Sequence, residues 1–117
     1  MRILKKSEIP IRREKISGEG VKLFIKKKNQ EIARVFLYIL KNDLHKEPFG
    51  FLEDLFVVEE KRGGGLGTKL IKAVVELARQ KKCYKLVATS RFSRPAVHKL
   101  YQRLGFKKHG AEFRIDF

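Results

Sequence analysis

With 117 residues, 43% of them hydrophobic, the chain can bury one core but not two, and it is too apolar to remain disordered. Its 28 Lys and Arg against 13 Asp and Glu give a formal net charge of +15, spread along the whole length. Such a charge is either a solvated surface or the footprint of an anionic partner, whether coenzyme, nucleic acid or ribosome. A lone cysteine, Cys83, excludes an internal disulfide and suits a reducing compartment. Met1 to Ile9 lacks the apolar run of a signal peptide, and no stretch reaches the roughly eighteen apolar residues of a membrane span. The expectation is a cytoplasmic protein without a membrane. His45, His98 and His109 are scattered and offer no metal-ligand spacing.

Residues 1 to 20 are weakly patterned, with Ile3-Leu4 and Ile9 to Ile11 as short strand pieces and Ser17 to Gly20 as a turn. Val21 to Ile25 alternates as a strand does, Lys28-Asn29 suits a tight turn, and Glu31 to Leu40 completes a hairpin. After a polar loop, Phe49 to Val58 is dense in aromatic and β-branched residues and reads as a third strand. Two acids interrupt it, and a buried carboxylate is costly without a partner or a task. Simple alternation places Glu53 on one face with Leu55 and Val57, and Asp54 on the other with Phe56 and Val58.

The strand leads into Arg62-Gly63-Gly64-Gly65-Leu66-Gly67, which opens directly into a helix. Glycines let successive backbone N–H groups turn toward one point, and the helix dipole behind them makes an anion site, most simply for a phosphate. The order Gly67-Thr68-Lys69 misplaces the lysine of a P-loop. Gly63-x-Gly65 is followed by Thr68 where a dinucleotide fingerprint needs its third glycine, and no acid lies near position 87.

From Leu66 to Lys81 the apolar residues form a helical stripe with basic residues opposite. Tyr84 to Thr89 reads as a strand. Ser93 can cap a second helix, with Pro95 in its first turn and Ala96, Val97, Leu100, Tyr101 and Leu104 on one face, and Gly105 stops it. Cys83 falls at a helix end or strand start, as a structural thiol. Phe106 to His109 and Glu112 to Phe117 read as two closing strands. The whole is one domain over residues 1–117, an α/β sheet with its helices toward the C-terminal half.

A strand carrying Glu, then Arg-x-x-Gly-x-Gly/Ala and a helix, resembles the acetyl-CoA signature of the GNAT acetyltransferase superfamily, with Arg62, Gly65 and Gly67 at its set positions. Tyr101-Gln102-Arg103-Leu104-Gly105-Phe106 resembles the family's Tyr-x-x-x-Gly-Phe, so the likeness runs from Phe49 to the C-terminus. Leu52-Glu53-Asp54 ahead of Phe56-Val57 is similar to the same strand of spermidine/spermine acetyltransferases. The resemblance implies a mixed, mostly antiparallel central sheet flanked by helices, lacking the usual two N-terminal helices. It also implies an N-acetyltransferase that moves an acetyl group from acetyl-CoA to a primary amine, on a small molecule or a protein, by direct attack in a ternary complex.

Residue by residue, it implies that backbone N–H groups of Arg62, Gly63, Gly64, Gly65, Leu66, Gly67 and Thr68 hold the pyrophosphate, with a further bond from the Thr68 hydroxyl. The pantetheine arm would pair along Phe56, Val57 and Val58. Glu53 is either the general base, tuned upward by burial, or a carboxylate that orients the substrate. Tyr101 is either the acid that reprotonates the thiolate or an apolar-face residue.

Two features depart from the family. Arg94 stands where many members carry Asn or Asp. Too few residues precede Val21 for the two helices, which implies an open acceptor side or a wall supplied by a second subunit. The alternative is a non-catalytic acetyl-CoA-binding or nucleic-acid- or ribosome-binding protein on the same fold, since Phe49-Gly50-Phe51-Leu52 echoes part of a base-stacking motif.

Overall fold

The turn at Lys28-Asn29 starts the sheet. In the computed structural model, which describes residues 1–117, both residues have positive φ, 50° and 66°. That pair of angles makes the two-residue turn whose twist matches antiparallel strands. It joins β1 (Gly18–Lys27) to β2 (Gln30–Leu40), and β2 pairs antiparallel with β3 (Phe49–Val57). After the helix α1 (Leu66–Gln80), β4 (Leu86–Ala88) pairs parallel to β3, and α2 (Pro95–Arg103) follows. The strand order is β1-β2-β3-β4, a mixed and mostly antiparallel sheet, as the resemblance implied.

Alternation along β2 builds the core. Ala33, Val35, Leu37 and Ile39 all point to one side and are buried, Val35 and Leu37 with no exposed surface. α1 lays Leu70, Ile71 and Val74 against them, and α2 adds Tyr101 to the same cluster. Each fully buried aliphatic side chain contributes about 1.5–3 kcal/mol, so this seam holds the helices to the sheet. The other side of β2, with Arg34, Phe36 and Tyr38, contributes nothing to that cluster. No helix is long and apolar enough to cross a membrane.

Both helices end in the same device. At the end of α2, Gly105 has φ 100°, its N–H donates to the carbonyl of Gln102, and the N–H of Phe106 donates to Tyr101. This closure pairs the last carbonyls and brings together the side chains at its two ends. The rings of Tyr101 and Phe106 lie 5.2 Å apart. At the end of α1, Lys82 takes the left-handed position with φ 60°, and Cys83 N–H donates to the carbonyl of Ala78. Burial pushes the Cys83 thiol above its ordinary pKa, which disfavours the reactive thiolate.

Several expected elements differ. Ser93 is not the cap of α2; Arg94 is, without a side-chain cap bond, because the residue before proline avoids helical backbone and the helix starts at Pro95 itself. β4 is limited to Leu86–Ala88. Phe106 to His109 and Glu112 to Phe117 form no strands, and Phe113, Ile115 and Phe117 are exposed. A strand needs a neighbouring edge to pair with, and a three-residue β4 offers almost none. Ile3-Leu4 and Ile9 to Ile11 are likewise unpaired, and residues 1–17 hold only a short 3₁₀ turn at Lys6–Glu8.

Candidate functional site

The glycine run forms a turn of unpaired backbone donors, here called the cradle. Gly63 and Gly65 have φ of 85° and 87°, angles that side chains disfavour, although a Cβ at either position would meet no atom within 4 Å. Backbone conformation, not crowding, therefore requires glycine at these two positions. From Gly63 to Thr68 no backbone N–H donates to another backbone group, and the first helical bond runs from Lys69 N–H to the carbonyl of Gly65. Unpaired donors in a turn of alternating handedness, at the positive end of a 15-residue helix, suit a phosphate.

Arg62 stands differently from its neighbours. Its N–H donates to Glu59 within the short turn Glu59–Lys61, so the free donors begin at Gly63. Its guanidinium reaches back to the strand: Nε donates to the Val57 carbonyl at 2.8 Å and the group lies 5.5 Å from the Phe56 ring centroid. The side chain thus ties the turn to β3. The Thr68 hydroxyl accepts a bond from Arg103 at 3.0 Å, which brings a cation from α2 to the start of α1. Nothing at sequence level marked Arg103; only the placing of α2 beside α1, with Leu100 Cδ2 3.5 Å from where a Cβ on Gly67 would stand, brings it there.

β3 changes character at Asp54. In the ladder with β2, Arg34 pairs with Phe56 and Phe36 with Glu53, so β3 carries one extra residue. Asp54 absorbs it with φ 55°, a conformation that Asp tolerates better than most residues. The bulge reverses the alternation. Leu52 faces the core before it and Leu55 and Val57 pack against the core after it, leaving Glu53 on the opposite face beside Phe36. The expected sharing of a face by Glu53, Leu55 and Val57 is therefore incorrect. Glu53 is exposed, so the apolar surroundings expected of it are absent too.

The same bulge opens a gap. Pairing of β3 with β4 ends at Leu52 and Ala88, immediately before the extra residue. Beyond it, the β3 edge turned away from β2 is unpaired. Val58 N–H points back to Ile32 of β2, so by alternation the open edge carries the backbone groups of Leu55 and Val57, with the Val57 carbonyl taken by Arg62. Of Phe56, Val57 and Val58, only Val57 presents its backbone to this edge; Leu55, which sequence reasoning passed over, is the second. Just past β4, the Ser90 hydroxyl is buried without a partner.

Tyr101 sits deep, with 8% of its surface exposed, in the cluster with Leu70 and Ile71. Burial raises its pKa above the usual tyrosine value, while the Arg94 guanidinium pulls the other way. The phenol is therefore a neutral proton donor across the physiological range. The structure gathers the cradle, Thr68, Arg103 and α2 on one side, and sets Glu53 on the opposite face of β3 from Tyr101.

Known proteins share this fold. The model of the acetyltransferase (GNAT) family matches residues 4–106. Over 68 residues the chain is 40% identical to glucosamine 6-phosphate N-acetyltransferase of Trypanosoma brucei brucei, covering 57% of this chain and 44% of that protein. N-alpha-acetyltransferase 30 of Schizosaccharomyces pombe is 30% identical over 78 residues, 65% of this chain and 52% of its own. The chain thus spans about half the length of these relatives or less. A solved acetyltransferase structure from Trypanosoma brucei superposes with a TM-score of 0.76 at 28% identity, covering 84% of this chain and 69% of that one.

Proposed function

This chain belongs to the GNAT acetyltransferase family, and from that membership we propose that it transfers an acetyl group from acetyl-CoA to a primary amine by direct attack in a ternary complex. The observation that carries this reading is the row of unpaired N–H donors from Gly63 to Thr68 beside the free edge of β3. A phosphate-bearing arm laid from the cradle along Leu55 and Val57 meets donors at one end and a strand edge at the other. Bound acetyl-CoA would supply the activated thioester and a thiolate leaving group.

The chain's own residues would do the rest. The cradle, with Arg103 beside it, holds the phosphates. Tyr101 donates its phenolic proton to the departing sulfur, and burial keeps that proton in place until it is needed. Glu53, exposed beside Phe36, receives or orients the incoming ammonium from the other face. If Glu53 is the base, Glu53→Gln lowers kcat/KM by about 10²-fold or more and removes the acid limb of its pH profile. An unchanged profile leaves Glu53 as an orienting group at most.

One relative is named for glucosamine 6-phosphate, an amine carried on an anion. A net charge of +15 would draw such an acceptor and repel a polycation, which disfavours a polyamine. Calorimetric titration with acetyl-CoA, with adenosine diphosphate as control, tests the coenzyme assignment. Binding that strengthens when the pantetheine arm is present supports it, and absence of binding by folded protein overturns it. A screen pairing amino-sugar phosphates with peptide N-termini then sorts the acceptors.

A further inference from the structure

We propose that the face of the sheet turned away from the helices binds single-stranded nucleic acid, with bases stacked on its rings and phosphates held by its cations. The inference rests on the β1-β2-β3 register and stands whether or not the acetyl-transfer reading does.

The register lays that face out row by row. Gly20, Tyr38 and Phe51 lie side by side across the three strands; Lys22, Phe36 and Glu53 form the next row, and Phe24, Arg34 and Phe56 the one after. Five rings thus share one face, with Lys22 and Arg34 set among them. Each cation lies over a ring: Lys22 is 5.1 Å from the Phe24 centroid and 6.0 Å from that of Phe36, Lys26 is 5.8 Å from Phe24, and Arg34 is 4.9 Å from Phe56. Phe36 and Tyr38 hold their rings within 9° of parallel. Phe24 is 49% exposed and Tyr38 38%. Exposed rings gathered on one face mark an interaction surface, and their π-faces suit a partner that can stack.

Charge decides what that partner is. Glu31 pairs with Lys22 and, at 3.9 Å, with Arg34, and Glu53 sits beside Phe36, so two acids face Lys22, Lys26, Arg34 and Arg62. The face is net positive on a chain of net charge +15. A second copy would press these cations against their own equivalents. A single strand answers both features, because every base has a π-face and every linkage a phosphate. Duplex would not, since its bases are already stacked.

The test uses the full chain and a fluorescein-labelled oligouridine of about fifteen nucleotides, within the roughly 4–16 that one folded module covers. Anisotropy is read at rising salt, with sedimentation, circular dichroism and acetyl-CoA titration as controls. The expected result is a Kd of about 1–100 µM that weakens with salt at a log–log slope of about −2, for three phosphates neutralised by Lys22, Lys26 and Arg34. Phe24→Ala and Tyr38→Ala each weaken binding about tenfold, and a duplex of equal length competes poorly.

Both variants should remain folded, because their rings are exposed, and retained acetyl-CoA affinity would separate this site from the cradle. Binding unchanged in both aromatic variants would overturn the proposal, leaving only diffuse charge. So would absence of binding at low salt, or a dimer that the same two substitutions dissociate.

Discussion

Gly65→Glu abolishes acetyl-CoA binding while the protein stays folded. Two effects act together at this position. The backbone there has φ 87°, so any side chain costs about 1–2 kcal/mol in the left-handed region, and the stability loss stays near that figure because nothing lies within 4 Å of the new Cβ. The carboxylate then enters a ring of unpaired N–H donors at a helix N-terminus and takes the place of the ligand's phosphate. Each charge-assisted hydrogen bond lost is worth about 1.5–3 kcal/mol, so two suffice for a loss of at least about a hundredfold in affinity. Gly65→Ala is the control: it carries the strain without the charge and should cost less than about tenfold. Calorimetry on the two variants beside the wild type reads the difference, and near-native affinity in Gly65→Glu would move the pyrophosphate elsewhere.

Tyr101→Phe lowers kcat by about a hundredfold or more and leaves acetyl-CoA affinity unchanged, because a general acid acts in the transition state and not in the bound ground state. The variant keeps the ring that packs on Phe106, so its thermal midpoint should match the wild type. Burial, opposed by Arg94, sets Tyr101 above the ordinary tyrosine pKa of about 10, so kcat should show no alkaline fall from this group below that pH. The same shift links to stability. A folded-state pKa above the unfolded value means the folded chain holds the proton more tightly, so this contribution is complete below pH about 10 and is lost as pH rises through the folded value. Tyr101→Phe removes that alkaline loss. Wild-type turnover in the variant would reduce Tyr101 to a core residue.

Tyr-x-x-x-Gly-Phe was readable as a motif, and the structure supplies its physics. Gly105 takes the left-handed position that ends α2, and Phe106 folds back onto Tyr101, fixing the ring that carries the phenol. The Gly and Phe of the motif thus have a structural cause even if the Tyr alone touches chemistry. The cradle was legible for a similar reason: positive φ at Gly63 and Gly65 is a local demand that glycine meets at no steric cost. β3 was legible as a strand and misread as a surface. Adjacent acids at Glu53 and Asp54 hinted at an interruption, and Asp is among the few residues that accept positive φ, but neither fact says that one residue is left over.

What the sequence by itself determined lies within a few residues of each position: the Lys28-Asn29 turn, the helical stripe of α1, the proline start and glycine stop of α2, and the glycine cradle. Each follows from φ preference or periodicity, which a side chain carries wherever it is placed. Register, pairing and coverage were decided only in the tertiary structure, because each is a relation between two segments. β2 sets the count that makes Asp54 a bulge and turns Glu53 to the open side. The shortness of β4 leaves residues 106–117 without an edge to join and the end of β3 unpaired. The helices all pack on the Leu37 side, and that is what leaves Phe24, Phe36 and Tyr38 facing outward among their cations.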